Sequence, residues 1–159
     1  IRASGQGVPV NLSVNAVTPL CSWALLTECG RIERRAKELA LFVKRWAKDR
    51  GLCHAAKGHL SPYSWTLLSI FFMQVADEES RYVPALESFV ASSQLAEKRN
   101  TLLPAQPTPP HAQSAGCKKS VGSLFRAFAA FYHSEFDWQK EAVSVRLGRR
   151  GPPIAALPL

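Results

Sequence analysis

The stretch Gly58–Ala76 carries no Asp, Glu, Lys or Arg. From Pro62 onward it is apolar nearly all round, and a helix of that kind must be covered on every side. Ser61 can cap its start and Pro62 suits its first position. Its serines, Thr66 and Gln74 make it too polar, and barely long enough, to cross a bilayer. It therefore reads as the central buried helix of a soluble protein, and the other elements must pack around it. With 159 residues and 47% hydrophobic content the chain can supply one sizeable core, which excludes a wholly disordered chain.

The best partner is Arg31–Arg50. Ile32, Ala36, Leu39, Val43 and Trp46 fall at helical spacing as one apolar stripe, and Gly51 ends the run. The opposite face is basic, with Arg34, Lys37, Lys44 and Lys48 following at short helical steps and Leu41 among them. Residues 31–50 hold eight Lys or Arg against three acidic residues, a net of +5 within the chain's +8. Such a balance suggests an anionic partner.

Other elements are read more briefly. Val8–Asn15 alternates apolar and polar residues, which predicts a half-buried strand. A helix is expected over about Pro19–Cys29, with Gly30 as its stop. Asp77–Ser80 is an acidic break, and Arg81–Gln94 a weaker helical stretch interrupted by Pro84. Residues 93–119 form a Pro-rich loop. Ser120–Phe136 predicts another strong helix burying Leu124, Ala127, Phe128 and Phe131, and Ala142–Arg146 a short strand. The four tryptophans, Trp23, Trp46, Trp65 and Trp138, are expected in core or inter-helix packing.

The four cysteines form no C-x-x-C pair, and the four histidines are scattered, so no metal site is expected. Free thiols fit a reducing compartment. No signal peptide is visible. A chain beginning at Ile1 is read as processed or as a piece of something longer.

Lys44 and Lys48 are four residues apart on one face, so both ammonium groups can reach one anion. Just downstream, the start of the helix at Ser61-Pro62-Tyr63 offers free N–H groups and the positive end of the macrodipole. Tyr63 has a face on which a base can stack. These residues make a nucleotide site if they converge. Basic residues on a helix more usually form a solvated face, with Tyr63 in the core.

The run LALFVKRWAKDRGLCHAAKGHLSPY, Leu39–Tyr63, closely resembles the noncanonical poly(A) and poly(U) polymerases, terminal RNA nucleotidyltransferases of the polymerase-β superfamily. Their pattern reads V-K-x-W-A-K, a short spacer, then G-x-L-S-S-Y. Ser120–Trp138 with Ala142–Arg146 resembles the family's poly(A)-polymerase-associated segment, and VPVNLSVN its strand x-x-x-D-I-S-x-N. The resemblance covers roughly 7–146. It implies an α+β, mostly helical fold: the nucleotidyltransferase central helical domain with a remnant palm strand at the N-terminus. The implied organisation is residues 1–16 as the last palm strand, 17–147 as the helical central and associated domain, and 148–159 as an extended tail. It also implies that Lys44 and Lys48 bind a triphosphate, and that Ser61 and Tyr63 belong to the nucleotide site with Tyr63 stacking on the base.

Several positions depart from the family pattern. Family catalysis uses three carboxylates on two divalent ions, which activate the RNA 3′ hydroxyl and neutralise pyrophosphate. The Gly-Ser…Asp-x-Asp motif holding two of them does not occur in this chain, and Asn11 stands for the third. A neutral amide is a weaker ligand for a hard cation. Pro62 replaces a serine, and Ser22 an asparagine near the ribose. The expectation is a catalytically inactive module without a cofactor, serving RNA binding or structure in a large ribonucleoprotein. A mitochondrial ribosome is the setting the resemblance suggests, with a cytoplasmic or nuclear location otherwise. RNA and other proteins of the assembly are the expected partners, and Arg34, Lys37, Arg146, Arg149 and Arg150 the expected phosphate contacts. The competing reading is a fragment of an active terminal adenylyl- or uridylyltransferase using Mg²⁺ or Mn²⁺ and a nucleoside triphosphate.

Overall fold

The computed structural model describes residues 17–76, 81–86 and 119–152, with side chains from Ser22 onward. The predicted strand at 8–15, the acidic break at 77–80 and the Pro-rich segment up to 118 lie outside the described residues. Four α-helices are described, α1 (Val17–Ile32), α2 (Arg34–Asp49), α3 (Pro62–Val75) and α4 (Val121–Ala130), with one 3₁₀ turn, Ala55–Lys57, between α2 and α3. A π-type turn, Phe131–Glu135, continues α4. Among the described residues there is no strand.

Helix α2 is the hub, with α1, α3 and α4 all packing against it. Its apolar stripe faces inward: Ala36, Leu39, Ala40, Val43 and Ala47 are buried. Helix α3 is covered nearly all round, as its composition requires, and Ile70, Phe71 and Met73 are fully enclosed. Its buried hydroxyls turn back on their own helix, Thr66 Oγ1 donating to the Pro62 carbonyl and Ser69 Oγ to that of Trp65. Aromatic rings close the core, with Phe71 edge-on to Phe136 and Phe72 edge-on to Phe128.

The predicted Ser61 cap forms, and Ser120 caps α4 in the same way. Ser61 Oγ accepts the Ser64 N–H at 3.0 Å, and Ser120 Oγ that of Ser123 at 3.2 Å. Gly51, at φ +72, follows the end of α2.

The structure corrects several local expectations. Gly30 does not stop a helix, since α1 runs on to Ile32. The run Arg31–Arg50 is two helices, because Glu33 takes an extended conformation and caps α2 by accepting the Arg35 N–H. Residues 81–86 are not a helix turn of the ordinary kind. Val83 N–H donates to the Met73 carbonyl and Leu86 N–H to that of Val145, so their hydrogen bonds go to distant segments. Ala127 is exposed, because the buried arc of α4 is limited to Leu124 and Phe128. Ala142–Arg146 is no strand. Ala142 N–H donates to the Gly151 carbonyl, and the chain turns over 145–148. Trp46 and Trp65 pack edge to face, but Trp23 and Trp138 are 69% and 57% exposed.

The first residues of the predicted tail fold back. Gly148 is buried against Ala85, and Arg150 pairs with Glu141 through two short hydrogen bonds while lying over the Phe131 ring. Gln74 binds this region to α3: its Nε2 donates to the Pro84 carbonyl at 2.8 Å and to the Val145 carbonyl at 2.9 Å.

Candidate nucleotide and RNA interface

The basic face of α2 divides once its pairs are known. Arg34 binds Glu38, Arg35 binds Glu33 and Arg45 binds Asp49, each at 2.7–2.8 Å. Lys37, Lys44 and Lys48 have no hydrogen-bond or ion-pair partner among the described residues. Lys44 is half-buried and Lys48 exposed. Both sit on the turns of α2 nearest its C-terminus, where the carbonyl end of the helix favours cations.

The start of α3 lies at the same end of the helix pair. The Trp46 and Trp65 rings meet at 5.8 Å, and Trp65 Nε1 donates to the Leu52 carbonyl at 3.2 Å. These two contacts join the last turns of α2 to the first turn of α3, two residues from Lys48 and Tyr63 respectively. Tyr63 is 39% exposed rather than a core residue. The loop between them, 54–60, is exposed throughout.

The helix start offers few donors to an anion. Pro62 has no N–H. The Ser64 N–H is taken by Ser61 Oγ, and the Trp65 N–H by the Ser61 carbonyl at 3.2 Å. Ser61 Oγ also shares a 2.8 Å hydrogen bond with Ser64 Oγ. Tyr63 N–H is the donor of this first turn left without a partner among the described residues.

Ser22 is half-buried on α1, the helix that packs beside α2. Asn11 lies outside the described residues. Arg146 and Arg149 are exposed on the turn after residue 144, with no partner among the described residues. Arg150 is instead held by Glu141, by the Glu135 carbonyl and over Phe131. The structure thus brings Lys44, Lys48, Ser61 and Tyr63 to one end of a helix pair. It leaves Arg146 and Arg149 on a separate segment, and gives Arg34 and Arg150 carboxylate partners of their own.

Trp23, expected in packing, is exposed. Its spacing carried the better signal, because it falls outside the α1 stripe of Leu25 and Cys29. Among the described residues no group of three His, Cys, Asp or Glu side chains could hold a metal ion. No described helix is long and apolar enough to cross a membrane.

No protein-family model matches the sequence. It is similar to the poly(A) RNA polymerase GLD2 of Danio rerio, 28% identical over 147 residues, which are 92% of this chain and 30% of that protein. The Xenopus tropicalis GLD2 is 30% identical over 156 residues, 95% of this chain and 28% of that protein. The chain therefore spans less than a third of the length of these relatives. In structure it is similar to a solved chain described as the "structure of GLD-2/RNP-8 complex", with a TM-score of 0.68 and 25% identity over 93% of this chain and 45% of that one. The mostly helical fold and the Lys-Arg-Trp-Ala-Lys and Leu-Ser-Pro-Tyr segments are thus accounted for together: the chain is a relative of the noncanonical poly(A) RNA polymerases, the nucleotidyltransferase-type family its motifs resemble.

Proposed function

We propose that the chain is a poly(A) polymerase-like module that binds RNA while its own catalytic step is disabled, and that it works in a ribonucleoprotein assembly. The observation that carries this reading is the unpaired Lys44–Lys48 pair at the same end of the helix pair as Tyr63. Two ammonium groups with no carboxylate partner favour a phosphate ligand. The exposed Tyr63 ring adds a surface for a base.

In this reading the chemistry is disabled at position 11, which offers an amide, a weaker ligand for a hard cation, where the family pattern has a carboxylate. Pro62 and the Ser61–Ser64 cap also leave fewer first-turn donors for a phosphate. A protein partner is part of the reading, since the structural neighbour is described as a complex of GLD-2 with RNP-8.

The test is incubation with Mg²⁺ or Mn²⁺, labelled nucleoside triphosphates and an RNA primer. The expected result is RNA binding that weakens with salt, and no extension. Extension abolished by Lys44→Ala and left intact by Asn11→Ala would overturn the inactive reading in favour of an active terminal transferase.

A further inference from the structure

We propose that the surface shared by α1 and α2 is a track for single-stranded RNA leading away from the Lys44–Lys48 pair, with Lys37 as a phosphate contact and Trp23 as a base-stacking platform. The proposal rests on the RNA-binding reading above and adds to it the path and two residues.

Charge defines the line. The arginines of α2 at positions 34, 35 and 45 are neutralised by Glu38, Glu33 and Asp49. The lysines at 37, 44 and 48 are not. Steps of seven and four residues keep those three on one face. The uncompensated charge therefore runs along roughly 16 Å of helix, at 1.5 Å per residue. Leu41, 50% exposed, fills the gap in this line, so no acidic side chain interrupts it.

Two features extend the line onto α1. A β-carbon added to Gly30 would lie 3.1 Å from Lys37 Cβ and 3.2 Å from its Cδ. The aliphatic stem of Lys37 therefore lies across α1 at the one place where α1 has no side chain. Trp23 stands seven residues before Gly30, two turns along the same face of α1. Among the described residues it is the most exposed of the large apolar side chains, and its indole N–H has no partner.

A row of free ammonium groups beside an exposed indole suits a polyanion with flat faces. Single-stranded nucleic acid supplies both, because bases stack on aromatic rings regardless of sequence. An acidic peptide would match the charge but would not need the ring.

The experiment is anisotropy with a labelled single-stranded RNA of about 15 nucleotides, using the full chain. Trp23→Ala should weaken binding about tenfold. Lys37→Gln should weaken it several-fold and reduce the salt slope by about 0.7. Arg126→Gln removes an exposed charge from α4 and should leave affinity within twofold, controlling for net charge. Both test residues are exposed, and circular dichroism checks that the variants fold. If Trp23→Ala and Lys37→Gln bind like the parent while Lys44→Ala weakens binding, the track is wrong and the RNA-binding reading stands. If the parent binds no RNA at low salt, or Lys44→Ala has no effect, the underlying reading fails. Competition by poly-glutamate as strong as by RNA, with Trp23→Ala silent, would assign the surface to an acidic protein and overturn the proposal.

Discussion

Arg35 grips Glu33 through two parallel hydrogen bonds, Nε to Oε1 at 2.8 Å and Nη2 to Oε2 at 2.7 Å, across the break between α1 and α2. The same guanidinium donates to the Lys119 carbonyl and lies over the Tyr82 ring. It thereby joins the α1–α2 corner to two other segments of the chain. Both side chains are largely buried, so removing one strands the other. Arg35→Ala should cost about 2 kcal/mol in urea unfolding, less than for a fully enclosed pair.

The pair also sets an acid dependence. Hydrogen bonding from Arg35 holds the Glu33 carboxyl below its ordinary value of 4.5, and Arg150 does the same for Glu141. A carboxyl depressed in the folded state stabilises it above the unfolded pKa, and that contribution is lost as pH falls through the folded value. The stability gap between the parent chain and Arg35→Ala should therefore be full at neutral pH and shrink below about pH 4. Urea titrations at several pH values measure it, and a gap that does not change with pH would contradict the argument.

Gly148 has φ +58, and a β-carbon there would lie 2.8 Å from the Ala85 Cα. Gly148→Ala should destabilise by about 2 kcal/mol or more, combining left-handed strain with overpacking against backbone. Gly58 has φ +79 but open space around it. Gly58→Ala should cost only about 1 kcal/mol. Thermal melts of the two variants compare them directly.

Ser61 caps α3, so Ser61→Ala should lower stability by about 1 kcal/mol. Pro62→Ser adds an N–H and a hydroxyl at the first helical position. Nucleotide affinity should rise by up to about tenfold, measured by calorimetry with a nucleoside triphosphate. No gain would show that the donors of this turn do not face the ligand.

Cys29 is fully buried, and burial pushes its thiol up to about 12. Cys53 is half-buried. Alkylation at pH 8 followed by peptide mapping should label Cys53 before Cys29, and leave Cys29 unmodified until the chain unfolds.

The local features were legible because their causes are local. Ser61 with Pro62 marks a helix start through a side chain three residues from the N–H group it accepts. The reading failed where a residue type has two uses. Gly30 resembles a helix stop, yet its lack of a side chain serves the passage of Lys37. Glu33 resembles a solvated helix residue, yet it breaks the helix and caps the next. In the candidate site, Lys44, Lys48 and Tyr63 were legible as residues, but their common position depends on the Trp46–Trp65 contact.

By itself the sequence determined that the main helices exist, the Ser61 cap, the enclosure of α3 and the concentration of positive charge on α2. Periodicity and capping act within a few residues, and those patterns are written in order along the chain. Only the tertiary structure decided which cations keep a free charge, which tryptophans face outward and where the backbone of 81–86 finds its partners. Those outcomes depend on contacts such as Gln74 with Val145, 71 residues apart, and Arg35 with Lys119, 84 apart. A hydrogen bond is made or lost within a few tenths of an ångström, and residues that distant in sequence are brought to such range only by the packing of the whole domain.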